Sequence, residues 1–374
     1  MIRSYKYKLY PSKSQEGRLE YILQASRELY NSLLEMQKAR YAVEKKFFSN
    51  SEMSRVATGL RKKYTGVHAH VFQTTTKRLD LAFKRFFTHR KDGAGFPRFK
   101  SAKRHKSFSF KEYGNGFKIR GKKLYVSGVG NVSVRWHREL PATPKTATLK
   151  RYPDGWYVIF VVEITEGPDK ADKTSEVGLD FGLKNFVTDS NGTKIPNPKY
   201  FKKTLSRIKH VQAELSKKQK GSRRYYKTLH KLQKLYQKTT NQKKDFLHKL
   251  SRQLVTRNRL IVLEDINISN LRDKQKSKAA KRTLIHTNFS EFVRMLQYKA
   301  EEAGTEVVLV NPAYTSKTCS ACGHVNRGLQ ITQRMLVCEA CGAAMDRDHN
   351  AAVNILRAGR ALRQTRREAA RLQS

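Results

Sequence analysis

Residues 2–10, "IRSYKYKLY", alternate large apolar and polar side chains, the period-two signature of a strand with one buried face. Pro11 and Ser12 end it. From about Ser14 to Lys46 the period lengthens. Leu19, Ile22, Leu23, Leu29, Leu33, Leu34 and Met36 recur at three- and four-residue steps, which predicts an amphipathic helix. A second helical stretch covers about His68 to Thr88, with Val71, Leu79, Leu81, Phe83 and Phe87 as expected core positions. Then comes "RKDGAGFPRFKSAKRHK", a basic segment punctuated by Gly and Pro. Residues 106–165 read as a succession of strands, with "PDG" as a hairpin turn inside the last. The pattern therefore inserts a helical block between the first strand and the rest of a β-domain.

Residues 166–176, "EGPDKADKTSE", are polar and contain Pro, as linkers do. Beyond them "EVGLDFGLKNFVTDSNGTKI" reads as strand, turn, strand, with "SNG" as a hairpin turn. Lys199 to Arg257 is helical and very basic, and Gly221 divides it into two arms. "RLIVLED" (259–265) is a short buried strand, and "SEFVRMLQYKAEEAG" (290–304) is a helix closed by Gly. "TEVVLVNP" is another strand. A cysteine block follows, then a helix from about Asn350 and a basic tail. No internal repeat is present.

Composition narrows what these elements serve. The chain has 374 residues, room for roughly two or three domains of about 100–200 residues. With 77 basic against 31 acidic side chains its formal net charge is +46. A compact body with that charge repels itself, and a polyanion relieves the repulsion. Nucleic acid is the expected polyanion, because each neutralised phosphate releases counterion. A membrane surface fits less well. The basic residues are spread along the whole chain, and no apolar run approaches the roughly 20 residues needed to span a bilayer. The N-terminus lacks the apolar core of a signal peptide, so an intracellular protein is expected.

All four cysteines lie between 319 and 341 and serve one local purpose. Cys319, Cys322, Cys338 and Cys341 give C-x2-C-x15-C-x2-C, two chelating pairs that can close a tetrahedron around zinc. Gly323 and Gly342 suit the knuckle turns. Four protein ligands leave no open position, so this zinc is expected to be structural. The competing reading is a redox pair or two surface dithiols, and His324 and His349 are possible substitute ligands. A bland surface role suits His324 better.

The carboxylates are the second candidate. Asp180 ends the apolar run "EVGLD", Glu264 ends "IVLE", and Asp346 and Asp348 precede "NAAVNIL". Ends of adjacent strands in an α/β sheet converge on one edge, so such groups can meet. Three carboxylates can hold two Mg²⁺ about 4 Å apart and hydrolyse a phosphodiester. Each has a duller reading: Asp180 as a turn former, Glu264 beside Asp265 as a solvated strand end, Asp348 as a helix N-cap. The set argues more strongly than its members. Two basic stretches are candidate nucleic-acid surfaces. One is Arg98, Lys100, Lys103 and Arg104, continuing to Lys106, with Phe96, Phe99 and Phe108 interleaved. The other, within 199–250, includes Arg223, Arg224, Tyr225 and Lys227, with Tyr226 and Tyr236 nearby. Core packing of the phenylalanines and a tyrosine seam are the competing readings.

The segments "YKYKLYPSKSQ", "ELYN", "GFPRFKS", "VGLDFGLKNFVTDSNG", "DFLHKLSRQLV", "IVLEDINISNL", "NPAYTSKTCSACGHV" and "CGAAMDRDHNAAVNIL" span nearly the whole chain. In them the chain resembles TnpB, the insertion-sequence-encoded RNA-guided nuclease related to compact type V CRISPR effectors. The resemblance implies a multidomain α+β protein. A wedge-type β-barrel (1–12 and 92–168) would be interrupted by a helical recognition domain (13–91). An α/β RuvC nuclease domain of ribonuclease H type (175–313 and 344–357) would carry an inserted four-Cys zinc ribbon (314–343), followed by a basic tail (358–374). By position Asp180, Glu264 and Asp348 would be the catalytic, magnesium-holding acids, with Asp346 as second choice for the third. The partners implied are a guide RNA from the transposon end and double-stranded target DNA cut beside a short motif. The location implied is the prokaryotic cytoplasm, on the nucleoid. The rival functions are an RNA-guided DNA binder and repressor that no longer cuts, a transposase acting on transposon ends, and a guide-independent DNA-binding accessory protein.

Overall fold

The computed structural model describes residues 1–164, 173–266, 273, 277, 281, 284, 287–330 and 333–372. Residues 166–172 of the expected linker, and the "NISNL" end of one motif (267–271), lie outside the described residues. The chain divides into two compact units, Met1–Glu166 and Gly167–Ser374.

In the first unit β1 (Ile2–Tyr10) buries Tyr5, Tyr7 and Leu9, one face of the alternation. Helix α1 (Lys13–Glu44) starts at a Ser12–Gln15 capping box, which satisfies two of the orphan groups at its N-terminus. The apolar pattern does not predict α2 (Asn50–Arg61). This short helix buries only Met53 and Ala57, but Ser49 and Glu52 form a second capping box. Helix α3 (Ala69–Thr88) buries Val71, Leu79 and Phe83. Leu81 and Phe87, also expected in the core, are exposed. Leu81 lies two residues from Leu79 and so on the opposite helix face. Phe87, in the last turn, stacks on Phe83 at the rim.

The strands β2 (Ser107–Phe110), β3 (Glu112–Tyr113), β4 (Gly116–Arg120), β5 (Lys123–Val126), β6 (Gly130–Arg135), β7 (Pro144–Tyr152) and β8 (Gly155–Glu163) complete this unit. They pair with β1 in the order β2-β7-β8-β1-β6-β5-β4-β3. Among the described residues no ladder joins β2 to β3, so the expected barrel is an eight-stranded sheet that does not close. One core joins helices and sheet: Leu19, Ile22, Leu33 and Val71 share it with Phe108, Trp156 and Phe160.

The second unit holds β9 (Ser175–Phe181), β10 (Asn185–Asp189), β11 (Lys194–Pro196), α4 (Tyr200–Ser216), α5 (Arg223–Arg257), β12 (Asn258–Glu264), α6 (Phe289–Ala303), β13 (Glu306–Val310), β14 (Met335–Val337), β15 (Ala344–Asp346) and α7 (Arg347–Leu372). Its main sheet has the order β11-β10-β9-β12-β13. β10 is antiparallel to both β9 and β11, whereas β9, β12 and β13 run parallel. Val177 and Leu179 of β9, with Ile261 and Leu263 of β12, face a core shared with α5 and α6. Leu260 and Val262, with Val308 and Val310 of β13, face Ile355 and Leu356 of α7. Helices α4 and α5 form a hairpin sealed by Ile208, Val211 and Leu232. Gly221, at φ +95°, sits in the turn between them. The basic segment expected as a separate tail instead continues α7 to Leu372. It is rich in Ala, Leu, Arg and Gln, all strong helix formers, and no Pro interrupts it.

Candidate metal centres and nucleic-acid surfaces

The pairing Leu179↔Leu263 fixes β9 against β12, so Asp180 and Glu264 stand one step further on, at the carboxyl ends of neighbouring parallel strands. Side chains alternate along a strand. Since Leu179 and Leu263 face α5 and α6, Asp180 and Glu264 belong to the α7 face. Asp180's carboxyl is held well above the ordinary carboxylate range, first by burial, then by the charges of Glu264 and Asp348. Arg347 opposes this in part. Burial also raises Glu264, against a hydrogen bond that Thr315 Oγ1 donates to Glu264 Oε1 at 2.5 Å.

Helix α7 lies on this face in very close contact. A Cβ on Gly178 would stand 2.2 Å from the Ala352 carbonyl oxygen and 2.7 Å from the Leu356 nitrogen. Both atoms are backbone, so only Gly fits. A Cβ on Gly359 would meet the side-chain methyls of Val262 at 2.4 Å. Further along, Glu176 takes Arg360 and Arg363 of α7 as partners. The helix therefore runs antiparallel to β9, with its first turn beside Asp180.

That first turn separates the two aspartates. Asp346 Oδ1 accepts from the backbone N–H groups of Asp348 and His349, both at 3.1 Å, so Asp346 is the N-cap. Its other oxygen pairs with Lys194 Nζ at 2.5 Å. Burial raises Asp346, but these hydrogen bonds and the Lys194 charge outweigh it and hold the group below its ordinary value. Asp348 lies inside the helix and does not cap it. Its carboxylate has Arg347 at 3.6 Å and Arg334 at 3.7 Å.

The four thiols converge more tightly. Their sulfurs all lie within 4.8 Å of one another, with Cys319–Cys341 at 3.8 Å and Cys322–Cys338 at 3.6 Å. A zinc ion with bonds of about 2.3 Å needs tetrahedron edges of roughly 3.8 Å, so the donor set fits that ion. Each knuckle closes on itself. Gly323 N donates to the Cys319 carbonyl and Gly342 N to that of Cys338, with both glycines at positive φ. His324 sits 3.8 Å from Glu339 on the surface, and no histidine enters the cluster. Among the described residues this is the sole group of three or more such side chains placed to hold a metal ion; Asp180, Glu264 and Asp348 do not form one.

The knuckle is tied to α7 and to the carboxylates. Asn350 Nδ2 donates to the Thr318 carbonyl and Asn350 Oδ1 accepts from Ser320 N, both at 2.7 Å. Asn354 Nδ2 donates to the carbonyls of Thr315 and Thr318. Thr315 thus links Glu264 to the helix that carries Asp348.

Three family profiles match this chain. Residues 1–46 match a helix-turn-helix domain, residues 159–275 a family described as "Probable transposase", and residues 289–355 the "Cas12f1-like, TNB domain". A Streptomyces pristinaespiralis protein with the name "Putative RNA-guided DNA endonuclease" is 34% identical over 96% of this chain and 89% of its own. A "TnpB-like protein" of Acanthamoeba polyphaga mimivirus is 31% identical over 59% of this chain and 45% of its own. The chain belongs to the TnpB family. The solved mini-RNA-guided endonuclease CRISPR-Cas phi3 has a similar fold, with TM-score 0.52 at 10% identity, over 96% of this chain and 92% of that one.

This TnpB-family chain distributes its expected nucleic-acid contacts over both units. In the first, Arg98, Lys103 and Arg104 are exposed, and Lys100 packs over Tyr30. Phe108 is core, whereas Phe99 is exposed beneath Lys38. In the second, Arg223, Arg224 and Lys227 are exposed and Tyr225 is half-buried. Arg224 and Lys227 line a groove of about 1000 Å³ between α4 and α5, with Arg207, Lys231 and Lys234. No described helix is long and apolar enough to cross a membrane. The sequence reading missed Thr315, Asn350, Asn354 and Gly178. A Gly inside an apolar strand signals a close backbone approach, and it was the one detectable cue among them.

Proposed function

We propose that this chain is an RNA-guided DNA endonuclease of a transposable element. It would cut target DNA at a single RuvC site of ribonuclease H type. The observation that carries the reading is the meeting of Asp180 and Glu264, at the ends of parallel strands, with the first turn of α7 in a TnpB-family chain. The sheet order, three antiparallel strands followed by two parallel to the first, supports the ribonuclease H comparison. Asp180, Glu264 and Asp348 would hold divalent cations, most simply two Mg²⁺. They are hard oxygen donors, and two of them are disfavoured as anions until a cation arrives. When bound, the metal supplies an activated water and stabilises the leaving oxygen. Thr315 orients Glu264, Asp346 caps the helix that carries Asp348, and Arg334 and Arg347 offer positive charge to a scissile phosphate. The four thiolates would hold a structural zinc that fixes the turn into α7.

The test expresses the protein with its native flanking DNA and sequences the RNA that copurifies. A discrete, element-derived RNA is expected, as is Mg²⁺-dependent cutting of a matched duplex that Asp180→Ala and Glu264→Ala abolish. Absence of such RNA would overturn the guided reading. Near-normal cutting by either variant would remove that residue from the site.

A further inference from the structure

A cavity of about 490 Å³ lies between the start of β10, the α4 N-terminus and α5, on the α5 side of the sheet. Its size is that of pockets that enclose small molecules, roughly 300–1,000 Å³. Phe186, Tyr200 and Phe246 contribute aromatic surface, and Lys184, Lys202 and Lys243 contribute charge. Phe246 packs edge-on to the buried Phe186 at 5.3 Å, which makes this wall rigid. Asn197 fixes the rim: its side chain donates to the Leu183 carbonyl and accepts from Lys199 N. Arg334 also lines the cavity, and its guanidinium reaches Asp348 at 3.7 Å. One side chain therefore bridges the cavity and the candidate catalytic acid.

The geometry points to this cavity as a receptor for one unstacked base of the DNA strand being cut, beside the scissile phosphate. This inference rests on the nuclease reading above. An aromatic wall with a cationic rim recognises a nucleotide by stacking the base and pairing the phosphate. A nuclease with one site handles a single strand at a time, and seating the neighbouring base fixes the phosphate against the carboxylates. Burial lowers the Lys243 amine to about 8, so it stays mostly charged at neutral pH, and a phosphate at the rim would raise it again. Guide RNA is the rival occupant, but the bridge through Arg334 to Asp348 favours the strand that reaches the acids.

The experiment uses the RNA-loaded protein and matched duplexes with a single abasic nucleotide placed in turn at each position around the cut. Cutting should slow about tenfold at one position and little at its neighbours, the loss expected for one stacked base. Leu183→Trp, which fills the mouth from an exposed position, should slow cutting of ordinary DNA similarly while RNA loading and target binding stay unchanged. A photoreactive thymine analogue at the sensitive position should crosslink to Tyr200 or Phe246. Uniform cutting of every abasic duplex, or crosslinks to these residues from the guide RNA alone, would overturn the pocket. Failure of the unaltered protein to load RNA and cut would overturn the nuclease reading as well, so the two failures are distinguishable.

Discussion

The four cysteines and the three carboxylates are both metal-type donor sets in one unit of the chain, and they are assembled in opposite ways. Each cysteine pair is made by its own knuckle, within a few residues, around a glycine at positive φ. The sulfurs then meet at tetrahedral spacing. The carboxylates come from positions 180, 264 and 348 and are brought to one end of the sheet by two parallel strands and one packed helix. The first set is closed and adds to the fold. The second is open, and two of its members are disfavoured as anions. Structural sites can be local and satisfied. A site that binds and releases can be built from remote parts and left unsatisfied, at a cost that the rest of the fold offsets.

Breaking the closed set should have the largest effect. Cys338→Ser should lose bound zinc and with it on the order of 10 kcal/mol of coupled folding energy. Metal analysis should show the zinc gone, and limited proteolysis should cut within 314–343. Cutting of DNA should fall too, because Asn350 and Asn354 lose the carbonyls that anchor α7. Unchanged zinc content would refute the four-thiolate site.

The open set should respond with the opposite sign in stability. Asp180→Asn should reduce cutting by roughly a thousandfold or more, yet the metal-free variant should melt above the parent at neutral pH. The sign follows from linkage. Asp180 has a raised value in the fold, so the unfolded chain gives up its proton first, and stability is lost as pH rises through the folded value. Asn carries no such penalty. For the same reason cation uptake should release protons, and raising Mg²⁺ should move the acid limb of the cutting profile to lower pH. A variant that melts lower would mean that Asp180 is a structural group.

The same contrast explains what could be read beforehand. The thiolate site was legible from spacing alone because its geometry is nearly local. Asp180 and Glu264 stood out because each ends an apolar strand, and the helical and strand periods located most elements. The short helix α2 has too few apolar contacts for a periodic signal. Whether the first sheet closes depends on pairing between remote strands, which no local pattern encodes. Thr315 and the two asparagines were invisible for a related reason. Their partners are backbone carbonyls and a carboxylate that only the folded chain brings near.

Gly178→Ala is a smaller and sharper break, since it removes no donor from either set. The added methyl would press on α7 backbone that cannot yield, costing about 1–3 kcal/mol. The shift should move Asp348 away from Asp180. Cutting should therefore fall with full zinc content and normal RNA loading. Normal cutting would show that the site tolerates displacement of α7.

The smallest expected effect is at Asp346, and it separates the neighbouring aspartates. Asp346 caps α7 through two backbone N–H groups and pairs with Lys194. Losing a cap costs about 1 kcal/mol, so Asp346→Ala should lower the melting temperature and slow cutting only a few-fold. Asn is as good a cap as Asp, and Asp346→Asn should restore both. Asp348→Asn should do the reverse: it leaves the cap and the fold intact and abolishes cutting, because an amide cannot replace a charged cation ligand. The two asparagine variants are nearly isosteric and differ in position by two residues. If Asp346→Asn abolishes cutting and Asp348→Asn does not, the roles are exchanged, and the capping bonds belong to a ligand held ready for the metal.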